Sequence, residues 1–256
     1  MELPPLLESI LDHRTHRRYS DKTVAPEDLK TLLACTFSTP SKSDLQQCSV
    51  IVVRDEGKRQ RIADLIPSMA WIAKAPVFLV FCGDSRRIRR ISDMRGKPFA
   101  NDHLDAFLNA ASDASMHLST FIVAADAMGL GTCPISVVRN HIEQVTEILE
   151  LPKYVFPLAG CCLGWPAAKG FSSLRLPLEL TVHEDSYDDD KTARLVDQYD
   201  RDRDSRYSIP ETGHKYMADY GPAEFYGWSE DKARQVSKPE RAGLAAFLRK
   251  HGFDLD

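Results

Sequence analysis

The sequence feature that most constrains the fold is the long helical pattern between Asp102 and Met128. Its small residues and its large residues share more than one face, so the helix is hydrophobic around much of its circumference. These residues are Ala110, Ala111, Ala114, Ser115 and Ser119 among the small, and Leu108, Met116, Leu118 and Phe121 among the large. Such a helix lies either at the centre of a domain or against a partner subunit. Both alternatives stay open at this point.

Apolar runs predict the strands around this helix. "APVFLVFCGD" and "YVFPLAGCCLGWP" are continuously apolar over a strand length, which is typical of strands buried on both faces. "CSVIVVRDE" predicts a further strand, and "GLGTCPISVV" predicts a glycine stop followed by a short extended piece. No strand is followed by GxGxxG or GxxxxGK[ST], which argues against a dinucleotide-binding Rossmann domain.

Periodic apolar residues predict helices in the segments between the strands. These are "PPLLESILDHR", "VAPEDLKTLLACTFS" with Pro26 in its first turn, "EGKRQRIADLI", and "NHIEQVTEILELP" with Asn140 as its cap.

The chain changes character at about His183. The stretch that follows is rich in charge, Tyr, Gly and Pro, and it closes with an amphipathic helix that carries Leu244, Phe247 and Leu248. We interpret residues 1–256 as a single domain in which residues 183–256 form a C-terminal excursion and a closing helix. A separate second domain is the alternative.

Composition and charge exclude several classes of function. The chain has 256 residues and a net charge of −4, so no broad basic surface is expected to bind nucleic acid. No apolar run has the length of a bilayer span, and no basic segment with an apolar core opens the sequence. The six cysteines lack metal-site spacing, and we expect buried thiols in a reducing compartment. We therefore expect a cytoplasmic protein that binds no metal, no membrane and no nucleic acid.

A basic cluster, "HRTHRRYSDK", lies between His13 and Lys22 and predicts a bound anion. Guanidinium groups bind phosphate oxygens in pairs, so Arg14, Thr15 and Arg17, with Arg175 of "SSLRLP", could form a phosphate cage. On residue types alone, a solvated basic patch at a helix end is the stronger interpretation.

A second polar segment, "PSKSDLQQ" at residues 40–47, could offer hydrogen bonds to the edge of a heteroaromatic ring. An ordinary polar turn is the alternative, and on this segment alone it is the stronger interpretation. The sequence has no HExxH, no GxSxG and no paired Cys/His ligands, so an enzyme of this sequence would take its chemistry from an organic cofactor. We therefore nominate no catalytic side chain.

In their order along the chain, these motifs resemble the nitroreductase family of flavoproteins, in the branch of the oxygen-insensitive NADPH nitroreductase and flavin reductase P. The branch's H-R-S-x-R-x-[FY] motif is similar to "HRTHRRY" at residues 13–19, and its serine-rich loop is similar to "SKSDLQ" at residues 41–46. "MGLGTCPISVVRN", "LPKYVFPLAGCCLGWP", "LRLP" and "ERAGLAAFLRKHGF" follow in the family's order, so the resemblance covers nearly the whole chain.

The resemblance implies an α+β nitroreductase-like fold, with a mixed, mostly antiparallel sheet flanked by helices in an intertwined homodimer. It also implies FMN at the dimer interface. The residues that it assigns to FMN binding are His13, Arg14, Thr15, Arg17, Ser41, Lys42, Ser43, Gln46, Met69, Ile135, Ser136, Ser173 and Arg175. Among these, His13 to Arg17 and Arg175 would hold the phosphate and ribityl chain, the 41–46 loop would line the isoalloxazine, and Ile135 and Ser136 would pass near N5.

The implied activity is that of an FMN-dependent NAD(P)H oxidoreductase. NADPH or NADH would deliver hydride to flavin N5 and leave, and a nitroaromatic, quinone or flavin would then take two electrons in a ping-pong cycle. A flavin-binding carrier or sensor with little turnover is the alternative.

Several positions depart from the branch's pattern. They are Met69 in place of a glutamine, Pro134 in place of an aromatic residue, Ser136 and Val137 in place of a glycine pair, and Ser173 in place of a lysine. Lys169 could replace that lysine. "GPAEFYGW" has no basic residue for an NADPH 2′-phosphate, a role that Arg201, Arg203, Arg206 or Lys215 could fill, so the sequence does not decide between NADPH and NADH.

Overall fold

The computed structural model describes residues 3–256, which fold into two compact units. The first unit comprises the chain up to Ser172 together with Arg241–Asp256, and the second is Ser173–Glu240. The prediction of one domain with an excursion from residue 183 is not tested by this division and stays a prediction.

A four-stranded antiparallel sheet forms the centre of the first unit. Its strands are β1 (Cys48–Val52), β2 (Val77–Asp84), β3 (Gly131–Ile135) and β4 (Val155–Gly164). The order across the sheet is β1-β2-β4-β3, so the two continuously apolar runs form the two central strands, as predicted. In β3 and β4, Cys133 lies opposite Cys162.

Helices of the first unit surround this sheet, and most of them lie where apolar periodicity predicts a helix, whereas those at residues 71–74 and 86–94 were not predicted. They are α1 (Pro5–Leu11), α2 (Pro26–Thr36), α3 (Glu56–Leu65), α4 (Trp71–Lys74), α5 (Arg86–Met94), α6 (Leu104–Ala127), α7 (Ile142–Ile148) and α12 (Leu244–Lys250).

The sheet buries apolar side chains on both faces. On one face, Leu79, Phe81 and Leu163 pack with buried residues of α2 and α6. The rings of Phe81 and Phe121 meet edge to face with their centroids 5.5 Å apart. On the other face, buried residues of β2 and β4 pack with α3 and α7. The long helix α6 is thus central, one of the two alternatives that its sequence left open.

Helix α6 ends where the sequence predicts a glycine stop. Gly129 has a φ of +74°, a backbone conformation that is costly for a residue with a Cβ. The proposed cap of α7 is wrong, because Asn140 lies inside a 3-10 turn, Ser136–His141, and the residue before the helix is His141. The side chain of Asn140 instead accepts a hydrogen bond from Arg241 Nε at 2.7 Å.

The second unit is helical in the part of the chain that the structure describes. Its helices are α8 (Leu178–Thr181), α9 (Thr192–Arg206), α10 (Met217–Tyr220) and α11 (Trp228–Val236). A buried carboxylate joins two of them, because Asp200 of α9 accepts a hydrogen bond from the backbone N–H of Ser229 in α11 at 3.0 Å. None of the helices within residues 3–256 has the length and apolar character that a bilayer crossing requires.

Candidate cofactor-binding site

The basic cluster of the sequence is extended and runs along the outer edge of β3. Helix α1 ends at Leu11, and Thr15 then forms a parallel bridge with Thr132. The N–H of His16 donates to the carbonyl of Thr132 at 2.8 Å, and that of Ser20 donates to the carbonyl of Trp165 at 2.9 Å. The backbone is therefore held by the sheet, while its basic side chains are displayed along the edge.

A glycine in β3 permits this close approach. A Cβ built on Gly131 would lie 2.7 Å from Cβ of His16, closer than side chains pack. The His16 ring is consequently half-buried, and burial lowers the pKa of His16 below its ordinary value of 6.5. The Asp126 carboxylate opposes this shift in pKa, and the Arg14 guanidinium adds to it.

Two carboxylates partly balance the charge of the basic cluster. His13 Nδ1 lies 2.6 Å from Asp126 Oδ2, and Arg14 forms an ion pair with Asp12. Arg17 forms no ion pair with a carboxylate of the described residues and instead lies over the ring of Trp71, with Cζ 5.5 Å from the ring centroid. Positive charge therefore remains in excess along this edge.

Two buried polar atoms beside the cluster, Arg14 Nε and Thr132 Oγ1, have no hydrogen-bond partner among the described residues. Buried polar groups are nearly always paired, so unpaired ones at a functional edge indicate a ligand that completes them. Arg14 Nε is an N–H donor and the Thr132 hydroxyl can donate, whereas a phosphate supplies only acceptors. The two groups therefore fit the FMN phosphate that the resemblance assigns here.

Met69 and Ile135, two more of the assigned residues, lie in the same part of the unit. Met69 and Trp71 pack against the core face that contains Cys133 and Ile135. Burial raises the pKa of the Cys133 thiol, against the opposing effect of the adjacent Arg17 guanidinium. Ser136 is exposed at the start of the 3-10 turn that follows β3. The structure thus brings His13–Arg17, Ile135 and Ser136 to the β3 edge of the sheet, with Met69 against the adjoining core.

The polar loop of residues 41–47 is built around a buried carboxylate. Asp113 of α6 is fully buried and accepts hydrogen bonds from Ser41 Oγ and the Gln47 N–H, both at 2.8 Å, and from the Lys42 N–H at 3.3 Å. The hydroxyl oxygen of Ser41 also accepts from the Gln46 N–H at 2.7 Å.

These bonds decide which loop atoms can meet a ligand. The Ser41 hydroxyl is engaged inside the loop, whereas the side chains of Lys42 and Ser43 are exposed. Gln46 is also exposed, with its side-chain amide donating to Asp44 at 2.9 Å. The loop therefore presents an ammonium, a hydroxyl and an amide to solvent, which are groups that hydrogen-bond a polar ring.

Within one chain the loop and the basic cluster lie at opposite edges of the sheet. The loop leads into β1, and the cluster lies outside β3, four strand spacings away or about 19 Å. Helix α6 gives a similar separation, because Asp113 and Asp126 are 13 positions apart, or about 20 Å at about 1.5 Å per residue. The structure does not bring these two groups of assigned residues together in one chain.

Ser173 and Arg175, the remaining assigned residues, belong to the second unit. The backbone of the intervening Leu174 is fixed by two tyrosines, since its N–H donates to Tyr207 Oη at 2.7 Å and its carbonyl accepts from Tyr199 at 3.0 Å. Arg175 lines a cavity of about 520 Å³ together with Arg194 and Arg206. Their grouping with residues 13–17 stays a prediction.

Four basic residues of this unit were candidates for a nucleotide phosphate. Lys215 is engaged, with Nζ 2.7 Å from Asp231 and 3.0 Å from Gln235 Oε1. Arg203 lies over Tyr207, and Arg201 contacts Gln198 at 3.4 Å. Arg206 is exposed and lines the cavity with Arg175, so among the four candidates it is the one that lies beside a second arginine of the assigned set.

The sequence interpretation missed the residues that hold these groups in place, namely Asp113, Asp126 and Trp71. A signal for Asp113 exists, because it lies on the buried stripe of α6 with Ala110, Ala114 and His117. A carboxylate on an apolar stripe needs a hydrogen-bonded partner. No comparable signal exists for Trp71. Within residues 3–256, no three His, Cys, Asp or Glu side chains are grouped as metal ligands.

Comparison with known proteins shows the family to which the chain belongs. The model of the nitroreductase family matches residues 10–165, and that of the nitroreductase family, C-terminal domain, matches residues 173–256. The second match begins where the second structural unit begins, at Ser173, but it also includes Arg241–Asp256, which belong to the first unit.

Individual proteins match over almost the whole chain. It is 35% identical over 254 residues to an FMN reductase [NAD(P)H] of Bacillus subtilis, covering 98% of each. It is 32% identical over 253 residues to an oxygen-insensitive NADPH nitroreductase of Salmonella typhimurium, covering 98% of this chain and 99% of the other. The solved structure of the hypothetical oxidoreductase YcnD from Bacillus subtilis superimposes with a TM-score of 0.90 at 33% identity, covering 99% of this chain and 100% of the other.

Proposed function

The chain belongs to the nitroreductase family of FMN-dependent NAD(P)H oxidoreductases, and on that premise we propose how its residues share the work. Bound FMN supplies the two-electron chemistry, which takes electrons from NADPH or NADH and gives them to a small electron-poor acceptor in a ping-pong cycle. The chain's own residues bind and orient the flavin, and none of them acts as acid or base.

The observation that carries this proposal is the basic edge beside β3. His13, Arg14, Thr15 and Arg17 lie together there, with a buried N–H of Arg14 that has no partner among the described residues and with Arg17 over the ring of Trp71. The arginines would hold the phosphate, and the Asp126 carboxylate would fix the orientation of the His13 ring.

We propose further that the active form is a homodimer in which each flavin lies between two chains. The separation of about 20 Å supports this, because within one chain the basic edge and the loop lie at opposite edges of the sheet. In the dimer, Ser41, Lys42, Ser43 and Gln46 of one protomer would line the ring, and the basic edge of its partner would hold the phosphate.

A second observation supports the dimer. Helix α1 buries none of its residues Pro5–Leu11 in the described chain and exposes Leu6, Leu7, Ile10 and Leu11, the last at 71%. Exposed leucines in a continuous stripe are typical of a surface that a partner covers.

The acceptor class follows from the chemistry of the relatives and stays broad. The Salmonella relative is named a nitroreductase and the Bacillus relative an FMN reductase, so we propose nitroaromatics and flavins as acceptors, and we add quinones as electron-poor compounds of the same class. All six cysteines are free thiols, which supports a reducing, cytoplasmic location.

The test is a visible spectrum of the purified protein followed by anaerobic titration with NADPH and then NADH. We expect flavin absorption bands that bleach on addition of at least one donor, with the faster donor identifying the preferred nicotinamide. Bands that persist with both donors would favour a flavin carrier or sensor. A colourless protein that takes up no added FMN would refute flavin binding altogether.

A further inference from the structure

We propose that Asp113 and Arg87 are positioning residues for the flavin ring. In this proposal they hold the 41–47 loop from opposite sides in the one conformation that the ring contacts. The proposal rests on the proposed function, because that function assigns the loop to the isoalloxazine. Neither residue touches the flavin itself, so both act through the loop backbone.

The carboxylate of Asp113 holds the loop by accepting hydrogen bonds from the loop's own donors. Its two carboxylate oxygens take the Ser41 hydroxyl and the amides of Lys42 and Gln47, which are five residues apart. The carboxylate therefore closes the loop at both ends, and the Gln46 amide closes it again onto the Ser41 hydroxyl oxygen. Since Asp113 and Gln47 are buried, loss of the carboxylate would leave a buried N–H group without its acceptor, which is costly.

The guanidinium of Arg87 holds the loop by donating hydrogen bonds to backbone carbonyls of the segment. Its guanidinium donates to the carbonyl of Gln46, to the carbonyl of Cys48 at 3.2 Å and to Ser49 Oγ at 2.7 Å. The buried Asp84 fixes that guanidinium at 3.2 Å and also accepts from Ser49 Oγ at 2.6 Å. The buried Asp113 carboxylate thus binds the donors of this short segment, and the Arg87 guanidinium binds its carbonyl groups.

The backbone between these contacts is strained, which explains why such a grip is needed. Ser43, Asp44 and Gln46 have φ values of +52°, +58° and +50°, in the left-handed region that residues with a Cβ seldom occupy. Three such residues within four positions persist only where the surrounding contacts determine them. Strained backbone of this kind clusters at ligand sites, where its geometry is set before the ligand arrives.

The residues that contact the ring therefore differ from the residues that set the position of the loop. The exposed Lys42 and Ser43 can meet the ring, but their direction depends on Asp113 and Arg87. A loosened loop would weaken FMN binding. It would also change the ratio of the affinities for reduced and oxidised FMN, because loop donors interact differently with the two forms. A tenfold change in that ratio corresponds to about 30 mV in a two-electron couple.

The first experiment measures the loop itself. Amide hydrogen exchange in the FMN-free protein is compared for wild type, Asp113→Asn and Arg87→Met. We expect exchange at Lys42 and Gln47 to accelerate at least tenfold in Asp113→Asn, because the amide that replaces the carboxylate is a poorer acceptor. Arg87 is exposed over 44% of its side chain, so Arg87→Met should fold even if Asp113→Asn does not.

The second experiment measures the flavin in the same variants. We expect the FMN dissociation constant to rise at least tenfold in Asp113→Asn and about threefold to tenfold in Arg87→Met. We also expect the midpoint potential of the bound flavin to shift in both. Asp200→Asn is the matched control, because Asp200 is a buried carboxylate that holds Ser229 within the second unit instead of the loop. It should lower stability without moving the flavin potential.

The outcomes separate this inference from the function on which it rests. Unchanged amide exchange in both loop variants would overturn the grip on the loop and leave flavin binding untouched. Faster exchange with unchanged affinity and potential would overturn the positioning role, since the loop would then lie away from the ring. A wild-type protein without affinity for FMN would refute the proposed function instead.

Discussion

At the scale of single residues, Arg17 distinguishes a phosphate site from a surface patch. Arg17 and the neighbouring Arg18 are both exposed, but Arg17 lies over Trp71 and pairs with no carboxylate of the described residues, whereas Arg18 lies over no aromatic ring of those residues. A charge-assisted hydrogen bond to a bound phosphate contributes about 1.5–3 kcal/mol. We therefore expect Arg17→Ala to raise the FMN dissociation constant by about one to two orders of magnitude.

Arg18→Ala is the matched control for that measurement, because it removes the same charge one position along the chain. Fluorescence titration of the FMN-free proteins with FMN should give a near wild-type affinity for Arg18→Ala. Equal affinities for the two variants would show that the cluster attracts FMN by its overall charge and that Arg17 has no specific role.

His16 makes a prediction about pH. Burial lowers the pKa of His16 in the folded state, so below the ordinary value of 6.5 the unfolded chain takes up a proton that the folded chain does not. The free energy of unfolding should therefore fall as the pH is lowered from 6.5 and level off below the folded-state pKa. The free energy of unfolding therefore keeps its full value, as far as His16 determines it, only above pH 6.5.

The measurement is the urea midpoint of the FMN-free protein at pH 7.5 and at pH 5.5. His16→Gln should lose less stability than wild type over this interval. His251, whose pKa is also lowered by burial, gives the comparison variant His251→Gln. If His16→Gln shows the full acid sensitivity of wild type, the ring is not buried as described.

At the scale of elements, the packing of the basic segment on the edge of β3 depends on Gly131, which has no side chain. A methyl group on Gly131 would lie 2.7 Å from His16, so Gly131→Ala must push the basic segment off the sheet or strain the strand. Overpacking of this kind costs about 1–3 kcal/mol. We expect a corresponding loss in the free energy of unfolding by urea, together with weaker FMN binding, because the displaced segment contains Arg14 and Arg17.

Gly243→Ala is the control for this substitution. No atom of the described residues lies within 4 Å of a Cβ built on Gly243, and its φ of −80° suits any residue. It should leave both stability and FMN affinity within a small margin of wild type. A Gly131→Ala protein that behaves like Gly243→Ala would contradict the close packing of the segment on β3.

The elements themselves were largely predictable, because apolar periodicity is local information. The strands β2 and β4 and the helices α2, α3 and α6 lie where their patterns predict them. The cap at Asn140 was wrong because a 3-10 turn extends through that residue, a feature with no sequence signature of its own. The strand order was not predictable either, since pairing joins segments that are far apart in the sequence.

The site was predictable only through its resemblance to a family. Motif order assigned residue types to a flavin, but the contacts that position them join distant residues. Asp113 is 66 positions from Gln47, and Asp126 is 113 positions from His13. A pattern confined to one segment cannot reveal such pairs. The clearest local sign was a carboxylate on a buried helical stripe.

At the scale of the whole molecule, the distance between the two halves of the site predicts complementation between chains. In a symmetric dimer with shared sites, Arg17→Glu disables the basic edge and Lys42→Glu disables the loop, so each variant alone should bind little FMN. A heterodimer of the two variants has both substitutions in one site and neither in the other. We therefore expect the heterodimer, isolated through two different affinity tags, to retain about one FMN per dimer where wild type retains about two.

The control is a dimer that has Arg17→Glu in both chains and the same two affinity tags. It should bind almost no FMN. A heterodimer of the two variants that is equally empty would mean that the loop and the basic edge serve separate sites. A wild-type protein that is monomeric by light scattering and yet binds FMN tightly would contradict the shared site directly. In that case the loop and the basic edge, which are about 20 Å apart at Asp113 and Asp126, would not share one FMN. If the site is shared between two chains, FMN retention and dimerisation should be lost together on dilution.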